Sequence, residues 1–429
     1  MGRTLIKEIF KGLECKVTIY GWVHKIRDLG NITFLIIRDR SGMIQVVVDG
    51  KLKTDLRLEY VVKITGMPVR NDKAPGNMEI DCEAIEVISD TEYEMIPLQI
   101  NREDIDSGIE AILDNRVLSL RNPKIHSIFN VQQEIASCFR DFFKSNGFTE
   151  IQTPKIVSEG TEGGSELFPV KYFGRRVYLA QSPQFYKQMM VAAGYERVFE
   201  IGHAYRAELH NTARHLNEYV SLDAEMGFIK DENDIMNIEN EFLEYLFSTI
   251  SKTCESELNL YGISLPKIGR IPRMTLQDAR GIIKDKYGKS SPQGNIDTEG
   301  EVLICRYIKE KTGNDFVFLT KYPVKKRPVY AMPDPKNPDV TNSFDLLYDG
   351  LEITTGGQRI HKYRMLYENM KKFHLDPEKF GFYLDTFKYG VPPHGGFAIG
   401  LERLTLKILK LTNIREASLF PRDMERVAP

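Results

Sequence analysis

The chain has 429 residues, 42% of them hydrophobic and 28% charged, with a formal charge of −2 at pH 7. That is an ordinary globular composition, long enough for two or three domains, and no basic excess marks it as a nucleic-acid binder, although affinity follows the local placement of Lys and Arg. Five scattered cysteines (Cys15, Cys82, Cys138, Cys254, Cys305) include no Cys-x-x-Cys pair, which argues against a disulfide framework or a cysteine zinc site. The start, MGRTLIKEIF, lacks a signal-peptide run and no 18-residue apolar stretch follows, so a cytoplasmic protein with no membrane partner is expected.

Residues 16–90 hold five short β-branched or alternating runs: KVTIYGWV, ITFLIIRD, MIQVVVD, YVVKITGMPV and MEIDCEAIEVI. RDRSG (38–42) reads as a hairpin turn between two of them. Five strands in about 75 residues predict a small closed barrel, for which an OB-fold is the natural candidate. Such barrels often bind single-stranded nucleic acid through stacked aromatics and a basic rim. Phe34 and Trp22 suit either a core or a stacking position, and Lys25, Arg27 and Arg38 suit either a solvated edge or a rim. The barrel domain is placed at 1–100. A hinge with a short helix follows at 101–122, within a charged stretch broken by Pro97 and Gly108.

From Pro123 the period changes. Ile125, Ile128, Phe129, Ile135, Phe139, Phe142 and Phe143 recur at helical spacing, and Gly147 stands at the C-cap position. FTEIQTP (148–154) is a short strand ended by proline. The loop SEGTEGGS (158–165) reads as a solvent loop or as a lid over a cationic ligand group. RVFEIGHAYRAELHNTARHLNEYVSLDAEMGF (197–228) reads strand, polar loop, strand. Its loop crowds Arg206, Glu208, His210, Arg214 and His215 together, and arginine's planar fork suits phosphate. Residues 229–340 read as a mixed α/β insertion, helical over DENDIMNIENEFLEYLFSTISK.

SFDLLYDGLEITTGGQR (343–359) places Asp345 and Glu352 on a strand-turn-strand pattern, and HGGFAIGLERLTLKILKL (394–411) is a Gly-rich strand entering a helix that carries Arg403. Two carboxylates near arginines suit Mg²⁺ shared with nucleotide phosphates, and equally suit solvated turns. The chain has no Walker loop and no dinucleotide-binding glycine fingerprint, so ATP would need another kind of site.

Three blocks in order resemble the signature motifs of class II aminoacyl-tRNA synthetases: the helix and strand ending at Pro154, the loop opening Arg206-Ala207-Glu208, and GLER (400–403). The resemblance covers essentially the whole chain. Within the class, TEGGSELFPVKYF, LAQSPQFYKQ, RHLNE, GGQR, YGVPPHGGF and NIREASLFPRD are similar to the archaeal-type aspartyl-tRNA synthetases.

The resemblance implies an α+β chain: an OB-fold anticodon-binding barrel, then a catalytic domain (123–429) on an antiparallel sheet flanked by helices. It implies adenylation of L-aspartate by ATP with Mg²⁺, then transfer to tRNA. Arg206 would bind the α-phosphate and the reacting carboxylate. Ala207, Glu208, Arg214, His215, Leu216, Tyr219, Glu352, Gly400, Leu401, Glu402 and Arg403 would line ATP, with Arg206, Arg403 and Glu352 catalytic. Mg²⁺ would rest on Glu352, Asp345 and Thr355, the last standing where most relatives have Ser. For aspartate, Lys187 and Arg359 would meet the side-chain carboxylate. Glu162, Gln184 and Asp223 would accept from its ammonium, with Phe185, Tyr186 and Thr355 alongside.

In the barrel, Phe34 and Gln45 match positions that stack on and hydrogen-bond the central anticodon base, with Arg27 on the rim. His24 and Pro75 stand where discriminating relatives carry Trp and Lys, which implies charging of both tRNA-Asp and tRNA-Asn. A homodimer is implied by motif 1. The alternatives are a discriminating enzyme for tRNA-Asp, an asparaginyl-tRNA synthetase, an asparagine-forming paralogue, and a catalytically dead RNA-binding relative. Lys187 speaks against the second, the barrel against the third, and the retained Arg206, Glu352, Arg359 and Arg403 against the last.

Overall fold

The computed structural model describes the chain apart from residue 1 and residues 53–54, 162–165 and 210–211. The expected ammonium acceptor Glu162, most of the Gly-rich loop's tip and His210 therefore lie outside the described residues. Contacts divide the chain into two compact units, 1–122 and 123–429.

In the first unit, strands β1 (Val17–Asp28), β2 (Ile32–Asp39), β3 (Gly42–Asp49), β4 (Val61–Arg70) and β5 (Met78–Ser89) close a barrel in the order β1-β2-β3-β5-β4. Alternation decides what faces inward. Leu35 and Ile37 of β2, with Ile44, Val46 and Val48 of β3, are buried in the barrel core. Phe34 and Ile36 lie half-buried between them on the outer side. The charged stretch after the barrel forms two short helices, Ile109–Asp114 and Arg116–Ser119.

The second unit is built on an eight-stranded sheet. Its strands are β6 (Thr149–Glu150), β10 (Arg197–Tyr205), β11 (Glu218–Gly227), β12 (Arg273–Thr275), β13 (Phe316–Thr320), β14 (Ser343–Tyr348), β15 (Leu351–Arg359) and β16 (His394–Gly400), in the order β12-β13-β14-β15-β16-β11-β10-β6. All neighbours are antiparallel except β10 with β6 and β12 with β13. Between β6 and β10 in sequence, β7 (Ile156–Val157), β8 (Pro169–Tyr172) and β9 (Arg175–Leu179) form a separate small sheet.

The helix predicted after Pro123 spans Pro123–Ser145, and the next long helix spans Glu232–Thr253. Both bury their apolar stripes in one core with the sheet, where Phe139, Phe143, Phe199 and Phe242 are fully or almost fully buried. Phe139 packs at 4.4 Å from Phe143 and 5.1 Å, edge-on, from Phe242. Residues 229–340, expected as an insertion, are continuous with this body. Their long helix shares its core, and β12 and β13 extend its sheet.

One buried charge candidate sits in that core. Glu239 of the Glu232–Thr253 helix is 0% exposed and faces the Thr354 hydroxyl of β15. Burial pushes its carboxyl up to about 8. The unfolded chain releases this proton near the ordinary carboxylate value, whereas the folded chain keeps it until about pH 8, so the native state binds more protons in between and stability falls as pH rises through that window. Glu239→Gln, which cannot ionise, removes this slope. Its gain in stability over wild type should be absent near pH 4 and exceed about 1 kcal/mol at pH 8. Urea titrations at both pH values check this; equal differences would refute it.

Candidate active site

Two cavities open on one face of the large sheet and meet at its centre. The smaller, about 290 Å³, is lined by Arg206, Glu208, Arg214, His215, Tyr219, Glu352 and Arg403, with Leu216, Gly400 and Glu402 also on its wall. The larger, about 1010 Å³, is lined by Gln184, Phe185, Lys187, Arg206, Thr355 and Arg359 among others. Arg206, Tyr219 and Thr355 belong to both.

The polar loop between β10 and β11 delivers the first group. Arg206 stands just past β10 with its guanidinium carbon 5.8 Å from the Tyr219 ring centre. Glu208 and His215 approach each other at 3.7 Å, and Thr212 Oγ1 lies 2.6 Å from His215 Nδ1. Opposite them, Arg403 donates to the Glu352 carbonyl at 3.0 Å and reaches its Oε1 at 3.4 Å. Thr355 Oγ1 donates to the same Oε1 at 3.3 Å.

Of the expected nucleotide contacts, Ala207 and Leu401 lie off the wall, while Glu402 lies on it and also ties two elements together. The Ala207 N–H donates to the Glu166 carbonyl at 2.9 Å. Leu401 is buried in the large core because the helix Leu401–Ile408 turns that side chain inward. Glu402 accepts from the Val220 N–H through both oxygens, at 3.0 and 3.1 Å, which ties that helix to β11. Burial pushes its carboxyl up to about 7.

The larger cavity ends on two buried cations, Lys187 and Arg359, each backed by a buried carboxylate. Lys187, from the helix Gln184–Met190, donates to Asp223 Oδ1 at 2.9 Å and lies 3.4 Å from Glu225 Oε2. Arg359, at the end of β15, donates to Glu225 Oε1 at 3.1 Å, to the Gly396 carbonyl at 3.0 Å and to Gln184 Oε1 at 3.4 Å. Glu225 thus bridges the two cations. Burial drives its carboxyl upward, but Arg359 and Lys187 together hold it below the usual carboxylate value.

Sequence reasoning missed Glu225. Its signal was the alternation Ser221, Asp223, Glu225, which puts three polar side chains on one face of β11. Asp223, expected to touch the ligand ammonium, is instead engaged by Lys187 and by the Ser221 hydroxyl at 2.6 Å, and neither it nor Tyr186 lines the cavity.

Asp345 is also displaced from its expected role. It is buried against Arg327, 2.8 Å away, and lies on neither cavity wall. Burial pushes its carboxyl up to about 6 against the pull of Arg327. Among the described residues no cluster of three or more His, Cys, Asp or Glu could cage a metal. On the wall of the smaller cavity, Glu352 and the Thr355 hydroxyl stand together, 3.3 Å apart. They fit Mg²⁺ in its usual mode, one or two carboxylates with phosphate oxygens completing the shell.

In the barrel unit, Arg27 pairs across with Phe34 and Phe34 with Val47, so these three form a row on the outer side. Gln45 follows in the adjacent row and donates to Glu79 Oε2 at 2.7 Å. Pro75 is exposed in the turn Pro75–Asn77 between β4 and β5. His24 is different: it sits at a β1 bulge, 4% exposed, with Nδ1 2.9 Å from Arg38.

An antiparallel sheet with this chain order, carrying an arginine-lined pocket from its strand-loop-strand and its last strand-helix, is the architecture of a class II synthetase. A sequence profile described as tRNA synthetases class II (D, K and N) matches residues 108–424, and one described as an OB-fold nucleic acid binding domain matches 17–88. The chain belongs to the class II tRNA synthetases of the D, K and N type. It is 47% identical to an aspartate–tRNA(Asp/Asn) ligase of Aeropyrum pernix over 96% of both chains. It is 44% identical to an aspartate–tRNA(Asp) ligase of Pyrococcus horikoshii, again over 96% of both. Among solved structures, asparaginyl-tRNA synthetase from Pyrococcus horikoshii with asparaginyl-adenylate superposes over 100% of both chains with a TM-score of 0.93 at 30% identity.

Proposed function

We propose that this chain is a cytoplasmic aspartate–tRNA ligase that activates L-aspartate with ATP and charges both tRNA-Asp and tRNA-Asn. The observation that carries the reading is the junction of the two cavities at Arg206, with Lys187 and Arg359 at the end of the larger.

ATP fills the smaller cavity and aspartate the larger, its side-chain carboxylate directed to Arg359 and Lys187. The α-carboxylate and the α-phosphate then meet at Arg206, among the described residues the one cation on both walls. The carboxylate oxygen attacks the α-phosphorus in line and pyrophosphate leaves. A ribose hydroxyl of the terminal tRNA adenosine next attacks the mixed-anhydride carbonyl, and AMP leaves. No side chain acts as a nucleophile. Catalysis is positioning and neutralisation of developing charge by Arg206 and Arg403. Mg²⁺, held by Glu352 with Thr355, would add further neutralisation of the phosphates. The enzyme works as a C₂ homodimer through the segment ending at Pro154, and a fully active monomer in sedimentation at micromolar concentration would contradict this.

Relaxed tRNA choice follows from chemistry at two positions. The Asp and Asn anticodons differ only in the third base, C against U, and excluding one requires a group that penalises it. Pro75 offers no donor, and the His24 ring is buried and engaged by Arg38.

Arg359→Leu should abolish aspartate-dependent ATP–pyrophosphate exchange, because the ligand carboxylate loses a guanidinium partner and Glu225 loses one of its two cations. Near-normal exchange would sink the pocket assignment. Charging of purified tRNA-Asp and tRNA-Asn transcripts should proceed with comparable kcat/KM, and His24→Trp/Pro75→Lys should shift the preference toward tRNA-Asp. A wild-type preference of several hundredfold, unchanged in the double variant, would overturn the reading of these two residues.

A further inference from the structure

The segment 229–340 reaches Arg214, on the wall of the smaller cavity, through an acidic side chain whose purpose the reaction outlined above does not supply. Glu301 lies in the first turn of the helix Thr298–Thr312, with its side chain only 16% exposed. Its Oε2 accepts from Arg214 NH1 at 3.0 Å. The other terminal nitrogen of Arg214 donates to the Gly350 carbonyl at 3.3 Å, in the turn that leads from β14 into β15. Arg214 is therefore gripped from two directions while it lines the cavity beside Glu352 and Arg403.

This grip is not the incidental pairing of two surface chains. Burial and the neighbouring Glu352 carboxylate push the Glu301 carboxyl up to about 7, against the pull of Arg214 and Arg403. An acid held at that electrostatic cost needs a compensating contact, and Arg214 provides it. The geometry also has a direction. A guanidinium has five N–H donors in one plane, and engaging its two ends fixes that plane. An arginine on a polar loop otherwise loses its rotamer freedom only when a ligand arrives, which weakens binding.

We propose that Glu301 is a positioning residue for ATP: together with the Gly350 carbonyl it holds the Arg214 guanidinium in the orientation that meets the triphosphate. The inference rests on the assignment of the smaller cavity to ATP. It gives the helix Thr298–Thr312 a part in the chemistry, because displacement of that helix would release Arg214.

The test is aspartate-dependent ATP–pyrophosphate exchange by the full-length enzyme carrying Glu301→Ala, Glu301→Gln, Arg214→Ala, or both alanine substitutions, with melting midpoints measured in parallel. Glu301→Ala should raise KM for ATP about tenfold, equivalent to ~1.4 kcal/mol, while KM for aspartate stays within about twofold. Glu301→Gln, whose amide oxygen still accepts from Arg214, should recover most of the loss. In the Arg214→Ala background, Glu301→Ala should add nothing. An unchanged KM for ATP in Glu301→Ala would overturn the proposal. So would tighter ATP binding, a parallel rise in both KM values, or additive effects in the double variant. If Arg214→Ala itself leaves KM for ATP unaltered, the nucleotide assignment falls and the proposal falls with it, an outcome distinguishable from failure of Glu301 alone.

Discussion

The bridge of Glu225 between Lys187 and Arg359 is the constraint around which the catalytic unit is arranged. Lys187, Asp223, Glu225 and Arg359 are between 1% and 6% exposed. Taking such charges out of water costs several kcal/mol per ion, so they are tolerated only where every one is closely paired and hydrogen-bonded. The pairing draws on the helix Gln184–Met190, β11, β15 and the carbonyls of β16, and any slip of register would orphan a charge. One glycine of β16 is also placed against it. A Cβ at Gly396 would stand 2.2 Å from Glu225 Oε2, inside the space the carboxylate occupies.

Under the proposed function, the same bridge changes how selectivity for an acidic amino acid is understood. Two cations facing an open cavity would attract any anion. Here each already has a buried counter-charge, so what they present to a ligand is orientation. Donors fixed in place before the ligand arrives need no reorganisation when it binds, which is the source of electrostatic advantage in a site closed to water. Arg214 of the smaller cavity repeats the device, with Glu301 and the Gly350 carbonyl in place of Glu225 and the Gly396 carbonyl.

Periodicity made most of the fold legible. The β-branched runs of the barrel and the Phe139–Phe143 stripe each repeat at a period only one kind of element can bury. Arg206 and Arg214 of the smaller cavity were legible as a cluster because they crowd one loop. What escaped reading depends on register between distant segments. Glu225 meets Arg359 across 134 positions, and nothing local to β11 tells whether its carboxylates face ligand or protein. Asp345 looked equivalent to Glu352 in the hairpin, yet Arg327, brought in from a separate turn, claims it. Phe34 was undecided between core and surface until its neighbours Leu35 and Ile37 took the inward positions.

His24 shows how much a single buried partner can decide. Arginine has donors and no acceptor, so the Arg38 contact at 2.9 Å requires His24 Nδ1 to accept and leaves the proton on Nε2. Burial first, then the Arg38 charge, lower the ring to about 4 despite the opposing Glu59, so it stays neutral throughout the physiological range. Glu59 in turn accepts from both Arg38 at 2.8 Å and Arg121 at 2.9 Å, so the ring's state is set by a closed network within the barrel unit. Under the proposed function, any influence of this ring on the third anticodon base must act through shape or one fixed donor, because the ring itself carries no charge. A tryptophan at position 24 has no ring acceptor to offer Arg38, so such a change would alter the charge network behind it.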